Sequence, residues 1–200
     1  MVFNYMLEMK QMLYKSVKVK KGFSLLELLL VMGTIAAIII AAFIIYPKVM
    51  AHVRVNNELK NITTIMTGVK ELYQGKADYE GFTLQTLIKA KIPPSNMLIA
   101  GNNNALKNSW MGYVSMSVSG VGIANGKTLW NAVVLSTGSV PTEDCIRLAN
   151  EIYTTYNTGL SYLVVNSTYL YSTGVKYSFD STVAACAKTS PASVQMGLKI

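Results

Sequence analysis

The clearest pattern in the chain begins at Phe23. From there to Tyr46 almost every position is apolar, and beyond Pro47 the apolar positions narrow to one stripe without losing the helical period. Leu28 to Tyr46 supplies 19 residues in which only Gly33 and Thr34 are not apolar, close to the length that spans a bilayer as a helix. Val55, Leu59, Ile62, Met66, Val69 and Tyr73 then advance by fours and threes, while Lys60, Asn61, Thr64 and Lys70 fall on other faces. The first half therefore predicts a helix that is apolar all round, and the second a helix that lays one face on a folded domain. Pro47 is expected to bend or locally break it, because proline removes an amide donor and crowds the preceding turn. Gly75 is its expected end. Continuous from Phe23 to Tyr73, such a helix would be about 75 Å long, more than a small domain can bury.

The pattern then weakens. Residues 76–109 read as a solvent-facing connection with one short helix over Thr83–Ala90, which puts Leu84, Leu87 and Ile88 on one side and stops at Pro93-Pro94. Gly101-Asn102-Asn103-Asn104 is rich in turn formers. From Trp110 the strand signals begin. Trp110–Val118 and Leu129–Leu135 predict two strands, with Asn125-Gly126 as a turn signal between them. Pro141–Tyr153 returns to helical period, with Cys145, Leu148, Ala149 and Ile152 on a common side. Pro141 suits a first turn, and Glu143 and Asp144 suit the positive end of the helix dipole. Ser161–Val165 and Val175–Phe179 are expected strands, Val183–Lys188 a short helical turn and Val194–Ile200 a closing strand. The part after the apolar helix is thus α+β, an antiparallel sheet set against the long helix.

Charge adds direction to this picture. The net charge is +8, and residues 1–22 hold Lys10, Lys15, Lys18, Lys20 and Lys21 against Glu8 alone. The remaining basic residues are scattered without a stripe, so no specific nucleic-acid footprint is implied. Lysines ahead of an apolar helix instead orient it with the basic end inside, which places most of the chain beyond the helix outside the cytoplasm. Cys145 and Cys186 then lie where oxidation is permitted. A bond between them would close a loop of about 40 residues, worth roughly 4 kcal/mol on a chain-entropy argument. Two unpaired core cysteines are the other reading.

One residue in the apolar run is chemically out of place. Glu27 is the only ionisable group between Phe23 and Tyr46 other than that terminal tyrosine. An ionised side chain within a bilayer costs about 2.5–3.5 kcal/mol even on insertion scales. Glu27 needs a partner, and its own apolar run offers no cation. Nothing points to catalysis. His52 is the sole histidine, so no multi-histidine metal centre can form. Glu143 and Asp144 are adjacent rather than opposed, and Ser136-Thr137-Gly138-Ser139 is a polar segment ahead of a helix, not a nucleophile elbow. No cofactor or metal is implied. Asn61-Ile62-Thr63 and Asn166-Ser167-Thr168 fit the glycosylation sequon, a pattern short enough to arise freely.

Lys20-Lys21-Gly22-Phe23-Ser24-Leu25-Leu26-Glu27, together with the apolar helix, resembles the type IV pilin family, prepilins with a class III leader. The rest resembles the type IVb branch more loosely, through the 22-residue leader, the sizeable mature part and the two cysteines in the C-terminal half; Phe23 as first mature residue is instead the type IVa habit. The resemblance implies an α+β pilin fold with a long N-terminal helix packed on an antiparallel sheet. It implies a leader over 1–22, a membrane-spanning and filament-core half over 23–46, an amphipathic half over 47–74, an αβ-loop over 75–109 and a globular sheet domain over 110–200. Within that domain, 145–186 would be the disulfide-bounded D-region. It further implies cleavage after Gly22 by a prepilin peptidase that methylates the Phe23 amine, with Lys20 and Lys21 as the basic leader end. Glu27 would meet the Phe23 amine of a neighbour during assembly, and Gly33 and Pro47 would let the helix loosen in a filament.

The implied function is that of a structural, non-enzymatic subunit of a surface filament serving adhesion, aggregation or conjugative cell contact. Its implied partners are further copies of the chain, the inner-membrane assembly machinery, an outer-membrane secretin, and a host or recipient cell surface. A minor pilin or a secretion-system pseudopilin is the alternative within the family. A membrane-anchored periplasmic binding module is the alternative outside it.

Overall fold

The structure, a computed structural model, describes residues 24–76, 78–124 and 127–199. The chain divides into two units, Met1–Tyr46 and Pro47–Ile200. Helix α1, Leu25–Leu72, passes through both and contains Pro47. The break expected there does not occur. A proline ring removes one backbone donor, and the turns on either side keep theirs. α1 ends in a turn over Tyr73–Gly75, with Gly75 at φ +81°, a left-handed conformation that glycine adopts without a side-chain clash.

In the first unit, every described residue is exposed in the single chain, from Ser24 to Tyr46. In the second, the stripe becomes core. Val55, Ile62, Met66, Val69 and Tyr73 are buried, joined by Ile65, while Leu59 is half-buried. Asn61, expected on another face, is buried as well, and its side-chain carbonyl accepts a hydrogen bond from the side-chain amide of Asn96. The buried arc is wider than the one-in-four stripe because chain packs on both sides of it.

Seven strands form one antiparallel sheet among the described residues: β1 Leu98–Ile99, β2 Asn102–Lys107, β3 Tyr113–Ala124, β4 Lys127–Val140, β5 Leu160–Val165, β6 Thr168–Tyr171 and β7 Ala192–Lys199. Their order is β1-β2-β3-β4-β7-β5-β6. The last strand therefore lies inside the sheet, with Met196 opposite Leu135 on one side and Leu163 on the other. Leu135, Leu163, Val194 and Met196 are buried on the inner face, against the α1 stripe and helix α3, Thr142–Tyr156. On the opposite face of β3, Tyr113, Ser115 and Ser117 are exposed, the alternation of a sheet covered on one side.

Several sequence expectations need correction. Residues 75–109 are not only a solvent-facing loop with one helix, α2 Leu84–Lys89; they also supply β1 and β2, and they bury Tyr79, Phe82, Leu84, Leu87, Met97 and Leu106. Ile92 closes onto α1 where Gly68 leaves room: a Cβ there would sit 2.3 Å from the Ile92 side chain. Ser136–Ser139, a polar segment ahead of a helix as expected, is in addition part of strand β4, which runs to Val140 just before α3 begins. Val175–Phe179 is not a strand: Ser172 and Val175 make a single bridge, and helix α4 starts at Phe179. That helix runs Phe179–Ala187, longer than the turn expected over Val183–Lys188. Asn125-Gly126 lies outside the described residues, although Ala124 pairs with Lys127 across it.

Candidate functional site

The residues singled out by sequence fall into two groups. Lys20, Lys21, Gly22 and Phe23 lie outside the described residues. Glu27 sits in the first turn of α1, where a carboxylate complements the unpaired amides and the positive end of the dipole. It is exposed, and no cation pairs with it among the described residues. Around it Leu25, Leu26, Leu28, Leu29 and Leu30 are each more than half exposed. Gly33 has nothing within 4 Å of a built Cβ, and beside it Thr34 Oγ1 donates to the Val31 carbonyl at 2.8 Å, using up the only hydroxyl between Ser24 and Tyr46. The arrangement is an apolar cylinder with a single charge near one end. By length and composition it is a helix long and apolar enough to cross a membrane.

The second group is in the folded unit. Cys145 and Cys186 are bonded to each other, both fully buried, with their Cα atoms 5.9 Å apart. The bond ties α3 to α4 and encloses β5 and β6. Tyr153 stacks on Tyr177 with centroids 4.1 Å apart and meets Tyr171 edge-on at 5.4 Å, so the bounded segment has an aromatic support of its own. His52 is exposed and lines an open groove with Glu143, Arg147 and Glu151. No group of three or more metal-ligating side chains occurs among the described residues.

Sequence reasoning missed a buried polar network that fastens the sheet to α1. Glu58 is fully buried. Its Oε2 accepts from the Ser109 amide at 2.9 Å and the Ser109 hydroxyl at 3.0 Å, while Oε1 has no partner. Burial pushes its pKa up; the two bonds from Ser109, and a smaller contribution from Asn61, oppose the shift without cancelling it. The next turn is held by Asn108, also buried. Its Oδ1 accepts from the Trp110 and Gly112 amides, and its side-chain amide donates to Thr137 Oγ1 and the Gly138 carbonyl. Trp110 Nε1 donates to Asp144 in the first turn of α3. One turn thus joins α1, β4 and α3. A signal was present: Glu58 lies three residues after Val55 and four before Ile62, on the stripe itself, where a charge has to be buried.

A family model described as PilS N terminal matches residues 52–197. No curated protein matches the chain significantly. Among solved structures, the crystal structure of the type IVb pilin from Salmonella typhi aligns with a TM-score of 0.55 at 22% identity, covering 72% of this chain and 99% of that one. The crystal structure of TcpA, a type IV pilin from Vibrio cholerae El Tor biotype, aligns with a TM-score of 0.50 at 12% identity, over 72% of this chain and 98% of that one. At these identities the likeness is one of fold.

Proposed function

The chain belongs to the PilS N-terminal family and has the fold of a type IVb-like pilin, and from that premise we propose that it is a structural subunit and not an enzyme, a precursor matured and assembled into a surface filament. The observation that carries the reading is the state of α1 in the single chain: exposed and apolar on every side from Leu25 to Tyr46, with one carboxylate, Glu27, in its first turn. Before assembly this segment anchors the subunit in the inner membrane, with the folded unit on the outer side. In the filament, helices from neighbouring copies replace the lipid. The contacts are heterologous and do not close, so the assembly grows as a helix.

In this reading a prepilin peptidase cuts after Gly22, helped by Lys20 and Lys21, and methylates the Phe23 amine. The new amine is the cation that Glu27 lacks. An incoming Glu27 meets the Phe23 amine of a copy already in place, and the pair sets the axial stagger. After desolvation such a pair adds little net stability, yet leaving one member buried alone is expensive. Gly33 and Pro47 are the places where the helix gives way during packing. The assembly machinery and an outer-membrane secretin deliver the filament, and the enclosed region between Cys145 and Cys186 faces outward to meet a host or recipient cell, in adhesion, aggregation or conjugative contact.

Intact mass and N-terminal analysis of material sheared from producing cells tests the proposal. A chain starting at methylated Phe23 and two hydrogens lighter than its reduced mass is expected. Protein found only in membranes and still carrying residues 1–22 would overturn it.

A further inference from the structure

Six methionines lie in the folded unit: Met50, Met66, Met97, Met111, Met116 and Met196. Met66, Met97, Met116 and Met196 are buried in the core, and Met50 is half-buried. Met111 stands apart, 77% exposed. The exposure is not that of a loose loop. Met111 has φ +64°, in the left-handed region that a residue with a Cβ rarely occupies. Its amide donates to the Asn108 carbonyl at 3.1 Å, and the Asn108 amide donates to the Gly112 carbonyl at 2.8 Å. The residues around it are tied to other elements as well. Ser109 is bonded to buried Glu58 of α1, Trp110 to Asp144 of α3, and the Asn108 side chain to Thr137 and Gly138 of β4.

The turn is therefore fixed by bonds that do not involve the Met111 side chain. That side chain stands in solvent, as does Tyr113 two residues on, 71% exposed. A thioether does not titrate, so what separates one methionine from another towards an oxidant is access to the sulfur. A peroxide meets Met111 directly, whereas the four core side chains are covered by protein. The consequences differ too. A sulfoxide in the core would bury a polar oxygen without a hydrogen-bond partner. At Met111 the new oxygen faces water, and none of the bonds that hold the turn has to break.

We propose that Met111 is a modification site of the folded unit, the methionine that peroxides convert to the sulfoxide while the fold stays intact. The sulfur lone pair attacks one peroxide oxygen, and the O–O bond breaks. The sulfur is oxidised by two electrons, the transferred oxygen gives its proton to the departing hydroxyl, and water leaves. The change turns the apolar tip of the turn polar and leaves Tyr113 and the core as they were. It is a property of the single chain and does not depend on filament assembly.

The test treats the full chain, in micelles of an uncharged, peroxide-free detergent, with hydrogen peroxide for timed intervals. Each methionine is followed by peptide mapping and mass spectrometry. Sulfoxide is expected at Met111 roughly tenfold or more faster than at Met66, Met97, Met116 and Met196, and in denaturant their rates should converge. Protein oxidised at Met111 alone should unfold at the same temperature as the untreated chain. Met111→Leu should remove the fast site without changing the rates at the four core methionines. The proposal is overturned if a core methionine reacts as fast as Met111 in the folded chain. It is also overturned if the ranking persists in denaturant, since access would then not be its cause, or if oxidation at Met111 alone lowers the unfolding temperature as oxidation of a core methionine does.

Discussion

Glu58 carries the most exposed thermodynamic consequence of any single residue, because a carboxylate at zero accessibility has one oxygen bonded twice and the other not at all. Its pKa in the folded chain lies above its ordinary value of 4.5. The fold therefore favours the protonated form. That contribution is complete below the unfolded-state pKa and is lost as the pH rises through the folded-state pKa. Replacing Glu58 by Gln keeps an acceptor for Ser109 and removes the titration. Thermal unfolding of both proteins between pH 4 and pH 7 should show the variant gaining on the parent as the pH rises. A constant difference across that range would rule out the ionisation of Glu58 as its cause. Gly112 shows the same tightness from the backbone side: a Cβ there would lie 2.3 Å from the Gly138 carbonyl oxygen, which cannot move without disturbing β4.

Among elements, the pair α3 and α4 is where a covalent bond substitutes for packing. α4 has nine residues and buries Thr182, Ala185 and Cys186, a small apolar contribution for a helix at the surface. The Cys145–Cys186 bond holds it against α3, whose own buried side runs through Cys145, Leu148, Ala149 and Ile152. With Cys145→Ser and Cys186→Ser together, unfolding free energy should fall by about 2–5 kcal/mol, measured in denaturant with the slope compared to detect residual structure. Amide exchange should accelerate first in α4 and β6. β7 should keep its protection, because it is paired on both sides, to β4 and to β5. Equal acceleration of β7 would mean that the bond holds the whole sheet and not the enclosed region.

At the scale of the whole molecule, the two units differ in what they bury. The unit from Pro47 onward buries its apolar residues in one cluster, whereas Leu25–Tyr46 buries none in the single chain. A subunit of this kind is completed by its surroundings. If Glu27 acts in registering one copy against the next, Glu27→Ala should insert in the membrane and fold as the parent does. Its filament yield should fall at least tenfold, with the subunit accumulating in the membrane fraction. Immunoblots of sheared and membrane fractions give both quantities. Parental filament yield from the variant would remove the registering role, and loss from both fractions would place Glu27 in folding instead.

Features written as a local period or a local composition were legible without the fold. The apolar run to Tyr46, the stripe through Val69 and the buried side of α3 each arise from side-chain geometry within one element, where neighbours three and four apart share a face whatever lies opposite. The pilin resemblance likewise rested on a contiguous string, from Lys20 to Glu27. What the tertiary structure decided was everything whose cause is distant in sequence. β2 has weak strand composition and is a strand because it is paired, with β3 on one side and with the two-residue β1 on the other. Ser136 and Thr137 extend β4 because β3 and β7 both pair with them, and β7 pairs again at Val140. The break expected at Pro47 did not form, since one missing donor does not outweigh the turns on either side. Glu58 found its partner 51 residues away. A hydrogen bond of this kind has no period along the chain; it arises only when remote segments are brought together.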